Sequence, residues 1–406
     1  MSYFGLHLQT PVDGWTEEIR RAAAAAKPYR LVKSLWVEAG QVVKSLSPTT
    51  TTVFRHNVEH KQPFLDRAIL STAEADAAAD EFILQFKDSV NQHGHLDYVE
   101  SLNETYASED RLGQEKAVSF DRAFIRRLKI HCPNTKPVVY TAASGNIDHD
   151  EYNILIPLAS ECASAKGAFG YHNYWSVVNG NSYVNSSEHA RDYHMRWAWS
   201  LDSFLTARGI RVNWMLGESG PIGAGPNGYW QRPDDGWLHN EVWNGNISGY
   251  LSDLERMDHL FKNTHAHYQG RLLGAALFTS GVGVGWQYFQ LQHSALIAVT
   301  NYVISSTAPP QPPQPPSSEF RNEAWRVTVE MQENGQNGIR LNALAGIQQA
   351  ISAENEDNPR LQLQIVTSET IVNGKTIQAV ESLTGLVPRR VYVWEAGKEV
   401  YFFESP

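Results

Sequence analysis

Along the first 305 residues, short β-rich runs alternate with amphipathic helical stretches, and this alternation limits the possible folds more than any other feature. The runs cover residues 3–9, 31–37, 51–58, 96–102, 137–142, 168–175, 211–217 and 272–279. Helical periodicity falls between them, at 15–26, 73–90, 120–131, 151–166, 187–208 and 251–269. Strands separated by helices require right-handed crossovers and therefore a parallel sheet. Eight such units in roughly 300 residues fit a (β/α)8 TIM barrel better than an open doubly wound sheet. No strand leads into a GxGxxG turn. Gly281-Val-Gly-Val-Gly285 follows the last strand without that register, so a dinucleotide-binding reading is weak.

The alternation stops at residues 306–318, where six prolines fall within 309–316. Such a run adopts polyproline II and serves as a semi-rigid spacer. The predicted organisation is a (β/α)8 barrel over 1–305, a Pro-rich linker over 306–318 and a small α+β module over 319–406. In that module the pattern predicts a helix over 339–354, a hairpin with strands at 361–366 and 377–381 around Asn373-Gly374, and a second hairpin around Ala396-Gly397. The layout looks like that of secreted polysaccharide-active enzymes, in which an accessory module raises local concentration. For this module, binding of glycan or cell wall stands against a packing or partner role.

Composition removes several classes. With 34 Lys+Arg against 44 Asp+Glu the net charge is −10, and the longest basic runs are pairs, so no nucleic-acid partner is expected. No stretch approaches the roughly 20 apolar residues of a membrane span. Two cysteines, Cys132 and Cys162, cannot build a structural zinc site, and a disulfide framework is implausible, although one bridge between them stays open. His56 and His60 lack the HExxH context, and His265-Ala-His267 is equally bare, so neither a metal nor a cofactor is expected. The N-terminus carries no charged, apolar leader. The protein is then cytoplasmic, or secreted with its signal peptide removed.

In a barrel of this kind, chemistry gathers where strands end. The fourth run ends in Asn103-Glu104 and the seventh in Glu218. Two carboxyl groups facing each other are what glycoside hydrolysis needs, one to donate a proton and one to attack the anomeric carbon or activate water. The excess of 12 Trp and 17 Tyr suits stacking on sugar rings, and equally suits ordinary packing. The connection 219–246, rich in glycine and tryptophan, is a candidate substrate loop.

Over roughly 1–305 the sequence resembles the clan A glycoside hydrolases, retaining (β/α)8 enzymes with Asn-Glu at the end of strand four and Glu at the end of strand seven. The resemblance implies Glu104 as acid/base and Glu218 as nucleophile, with Asn103 holding the sugar 2-position. The His-x-Tyr pattern of that clan falls on His172 and Tyr174, and implies that Tyr174 hydrogen-bonds the nucleophile. Trp286 is a looser match to the clan's sugar-floor tryptophan. The clan's arginine near strand two is missing, and Arg55 on strand three is its candidate substitute. The aromatic-Gly start of strand one appears as Phe4-Gly5, and His7 on that strand either contacts a sugar hydroxyl or fills a buried polar layer.

The function expected is therefore a retaining hydrolase of a β-linked glycan or polysaccharide. The alternatives are a non-catalytic carbohydrate-binding barrel and a barrel enzyme of other chemistry. A Schiff-base enzyme would need a lysine at a strand end, whereas Lys33 sits too early in its run. Glu100, four residues before Glu104, shares its parity and would lie deeper in the barrel, where it needs a cation. Glu104 is expected to have a raised pKa because of the neighbouring Glu218 charge.

Overall fold

The computed structural model describes residues 2–24, 31–93, 95–223, 236–281 and 286–305, and short strands between 326 and 403. Its contacts divide the chain into two units, 1–309 and 310–406. In the first unit, eight parallel strands form β1 (Phe4–Leu8), β2 (Leu31–Ser34), β3 (Thr51–Arg55), β4 (Tyr98–Glu100), β5 (Lys136–Ala142), β6 (Ala168–Val178), β7 (Asn213–Gly223) and β8 (Leu272–Ser280). Their order is β5-β4-β3-β2-β1-β8-β7-β6, and pairing of β5 with β6 closes the sheet into a barrel. A two-residue strand, Asn181–Ser182, folds back antiparallel on the extension of β6. Helices fill the crossovers, so the (β/α)8 expectation for this unit holds.

The barrel interior follows from the period of two along each strand. Leu31, Val53, Tyr98, Val138, Ala168, Met215 and Ala276, one from each of β2 to β8, pack as a single apolar plug. Two residues further along, the same face presents Lys33, Arg55 and Glu100, all buried. The barrel thus changes from an apolar floor to a charged layer within one strand repeat. A far larger apolar cluster lies between the strands and the surrounding helices.

Local boundaries differ from the sequence reading where apolar runs cross from strand to helix. The run 31–37 is a strand only to Ser34, and Val37 already begins the helix Val37–Leu46. The helix His293–Ser305 is not apparent in the sequence because its apolar residues do not fall on one clear stripe. The stretch 187–208 is not one helix. It breaks into Ser187–Asp192, a π-helical Trp197–Asp202 and Ser203–Thr206. The seventh strand runs on to Gly223, so the predicted loop 219–246 begins as strand.

Several of the aromatic residues pack rather than present a surface. Trp175 is fully buried and donates its indole N–H to Asp253 at 2.9 Å. Trp237 is buried and donates to the Gln290 carbonyl at 3.2 Å. Trp230 lies outside the described residues. Cys132 and Cys162 are both buried and free.

In the second unit, Arg326–Met331, Ser368–Val372, Lys375–Glu381 and Phe402–Phe403 form an antiparallel sheet. Val393–Glu395 pairs with Lys398–Val400. The hairpin around Asn373-Gly374 therefore joins 368–372 to 375–381. Residues 339–354 and 361–366, where a helix and a strand were expected, lie outside the described residues.

Candidate active site

Glu218 sits near the end of the barrel stretch of β7. Strict alternation from the inward Met215 would point it outward. The register with β8 shifts between Leu216 and Ser219, and that with β6 shifts at Tyr171/His172. Such irregularities re-aim a side chain, and here Glu218 turns into the barrel. Its side chain is 9% exposed. Arg55 Nη1 donates to Oε1 at 2.6 Å and Tyr174 Oη donates to Oε2 at 2.9 Å. The same Arg55 nitrogen donates to Asn103 Oδ1 at 2.9 Å, which ties the ends of β3, β4 and β7 together.

Burial alone would raise the Glu218 pKa. The charges of His172, Arg55 and Lys33 outweigh it and hold the carboxyl well below the usual carboxylate range. Burial and the Glu218 charge push the Tyr174 phenol up, so it stays a donor. Glu218 is an ionised, fixed and partly desolvated carboxylate, which is the state a nucleophile needs.

Glu104 is held differently. It lies past the end of β4, in a turn, with φ of 51°. This left-handed backbone is rare for a residue with a side chain, and its surroundings enforce it. The Glu104 amide donates to the Thr141 carbonyl at 2.9 Å, and Lys61 Nζ donates to the Asn103 carbonyl. Buried Asp121 clamps both flanks of the turn, accepting from Ser101 Oγ and from Tyr106 Oη, and it also accepts the Tyr140 amide at 2.8 Å. The Glu104 side chain is 38% exposed and has His172 Nδ1 at 2.7 Å from Oε1.

Burial and the Glu218 charge raise the Glu104 pKa, but the His172 charge and hydrogen bond lower it further, and the net direction is downward. This corrects the expectation of a raised value, which weighed the neighbouring carboxylate and left out the imidazole between the two acids. His172 is itself fully buried and lies 3.5 Å from Glu218 Oε2.

Glu104, His172 and Glu218 each place one ligand-type atom within 4.8 Å of the others. This cluster could be read as a metal centre. However, a cation would need the Glu218 oxygens that Arg55 and Tyr174 already occupy, and would sit against the guanidinium. The donor set fits a carboxylate pair better.

His7 is fully buried, and neither ring nitrogen has a hydrogen-bond partner among the described residues. Burial, with Lys33 and Arg55 nearby, lowers its pKa, so the ring stays neutral. It packs on Phe278, with ring centroids 5.2 Å apart. Trp286 is 36% exposed and meets Phe278 edge-on at 5.4 Å. Phe278, absent from the sequence reading, therefore links His7, Tyr174 and Trp286. Its parity with inward-facing Ala276 was the available signal. His56, the residue after β3, bonds Gln85 of the outer layer at 2.9 Å.

No family model matches the sequence, and no curated protein matches it. Solved structures do. A family 39 glycoside hydrolase from the gut symbiont Bacteroides cellulosilyticus WH2 is 9% identical, with a TM-score of 0.48, over 94% of this chain and 80% of that one. A GH39 enzyme from Xanthomonas axonopodis pv. citri is 10% identical, with a TM-score of 0.45, over 73% and 65%. A GH128 endo-β-1,3-glucanase from Pseudomonas viridiflava is 11% identical, with a TM-score of 0.39, over 75% and 97%. Similarity this distant carries nothing about reaction or substrate, which rest on the residues above.

Proposed function

We propose that the barrel is a retaining glycoside hydrolase acting on a β-linked glycan by double displacement. The observation that carries this reading is the spacing of the two acids. A Glu104 oxygen and a Glu218 oxygen lie within 4.8 Å. Retaining enzymes separate their carboxyl groups by about 5–5.5 Å, whereas inverting ones leave roughly 6.5–9.5 Å for a water.

In the first step Glu218 attacks the anomeric carbon and Glu104 gives its proton to the leaving oxygen, so the glycosidic bond breaks as the ester forms. In the second step Glu104 takes a proton from water, whose oxygen displaces Glu218. Arg55 and Tyr174 hold the Glu218 carboxylate in line. When Glu218 becomes an ester its charge vanishes, and the Glu104 pKa falls further, which suits its second role. Because His172 keeps Glu104 largely ionised, the first step draws on a minority protonated form, and activity should be greatest on the acid side of neutrality.

Asn103 is placed to meet a sugar hydroxyl, Trp286 backed by Phe278 forms an apolar wall, and the fully buried His7 belongs to the polar layer beneath them. The β-linkage is carried over from the clan resemblance. A screen of aryl β-glycosides and soluble β-glycans, with Glu218→Gln as control, tests the proposal. Turnover of at least one substrate by the wild type and its loss in Glu218→Gln are expected, and equal rates in both proteins would refute it.

A further inference from the structure

Beneath the two acids lies a buried ion pair that the mechanism above does not use. Lys33 Nζ on β2 stands 2.7 Å from Glu100 Oε2 and 3.0 Å from Oε1 on β4, with the side chains 0% and 1% exposed. Burying two charges costs several kcal/mol per ion before their attraction repays it, and an apolar pair of similar volume often serves stability as well or better. Stability alone is thus a weak reason for this pair at the top of an otherwise apolar plug.

Its position supplies another reason. A Cβ on Gly217, the residue before Glu218, would come within 2.9 Å of Lys33 Nζ and 3.7 Å of Glu100 Oε2. The ammonium therefore rests directly against the backbone that carries Glu218, and glycine is what allows that approach. On the other side Glu100 is the register partner of Arg55, the residue that grips Glu218. Lys33, Glu100, Arg55 and Glu218 thus alternate in sign across β2, β4, β3 and β7.

Resting on the reading of Glu218 as nucleophile, we propose that Lys33 and Glu100 are a positioning pair for the Glu218 carboxylate. Lys33 supports the β7 backbone and adds positive field beneath Glu218. Glu100 fixes Lys33 and offsets its charge, so that the barrel interior stays neutral with Glu218 ionised. The Lys33 charge is among those that hold Glu218 below its ordinary range. The other charged or titratable groups facing Glu218 are Arg55, His172, His7, Tyr174, Glu104 and Lys61.

Lys33→Met alone strands a buried carboxylate and risks unfolding. The informative variant is Lys33→Met/Glu100→Leu, which removes both charges and keeps the volume. It is compared with the wild type by circular dichroism, thermal melting and the pH profile of kcat/KM on an activated aryl glycoside. The double variant should fold, with KM within about twofold and kcat at least about tenfold lower. The acid limb, which reports Glu218 ionisation in the free enzyme, should move up by about one pH unit. A folded double variant with wild-type kcat and an unmoved acid limb would overturn the proposal and make the pair a structural plug. If Glu218→Gln itself keeps activity, the nucleophile reading fails instead, so the two failures are distinguishable. If the double variant does not fold, Gly217→Ala, which directs a methyl at Lys33 Nζ, takes its place. A loss of kcat and an upward acid limb are again expected, and wild-type kinetics would again overturn the proposal.

Discussion

β7 and the turn after β4 each present one glutamate to the same mouth, yet they hold it by opposite means. Glu218 lies in extended backbone, is nearly buried, and has a cation and a phenol on its two oxygens. Glu104 lies on a left-handed turn, is more than a third exposed, and answers to one imidazole. The first arrangement fixes charge and direction. The second leaves the protonation state responsive to whatever enters the mouth. A double displacement requires this asymmetry, because one acid must stay ionised to attack and the other must change state twice per cycle.

The largest effect is expected at Glu218. Glu218→Gln should lower kcat by on the order of 10⁴-fold or more on every substrate, since no group then attacks the anomeric carbon. A leaving-group-dependent loss would place Glu218 in the wrong role. Glu104→Ala should cost about 10²–10⁴-fold on substrates with poor leaving groups, the range typical of a lost general acid. On an activated aryl glycoside the first step should be spared, and azide should speed the second. Identical behaviour of the two variants on that substrate, without azide rescue, would erase the asymmetry.

Smaller effects are expected at the residues that hold the two acids. Tyr174→Phe removes a hydrogen bond to a charged group, worth about 1.5–3 kcal/mol, and should slow turnover by roughly 10–100-fold without altering leaving-group dependence. His172→Gln keeps a donor beside Glu104 and removes the charge that depresses its pKa. The Glu104 proton should then persist to higher pH, and the basic limb of kcat/KM should move up by about one unit. A downward move would mean that His172 itself carries the catalytic proton.

The smallest effect on activity is expected at Asp121, whose buried carboxyl is pushed up to about 6, chiefly by burial. A raised acid stabilises the fold fully below its unfolded value of 3.8 and loses that contribution as pH rises through about 6. The loss is at most roughly 3 kcal/mol. Melting temperatures between pH 4 and 7 should decline less steeply in Asp121→Asn than in the wild type. Equal slopes would show that Asp121 is ionised throughout.

The asymmetry was only partly legible in the sequence. All eight strand runs overlap an observed barrel strand, because glycine, proline and polar clusters punctuate them and period-two patterns fill them. Glu104 and Glu218 could be placed near strand ends for the same reason. Their surroundings could not, because these depend on register across the barrel. The place of Lys33 early in its run hides its role, although its partner Glu100 reads from parity as an acid in need of a cation. Arg55 was noticed, but not that it reaches both Asn103 and Glu218. The lowered pKa of Glu104 was missed because it depends on His172, 68 residues away in sequence.

The account stands or falls on the stereochemistry that the spacing of the two acids implies. Proton NMR of the first product released from a β-glycoside, recorded before mutarotation, reads it directly. The account predicts the β-anomer, with configuration kept through a covalent intermediate on Glu218. Initial release of the α-anomer would contradict it, since an inverted product requires water, and not Glu218, to attack the anomeric carbon.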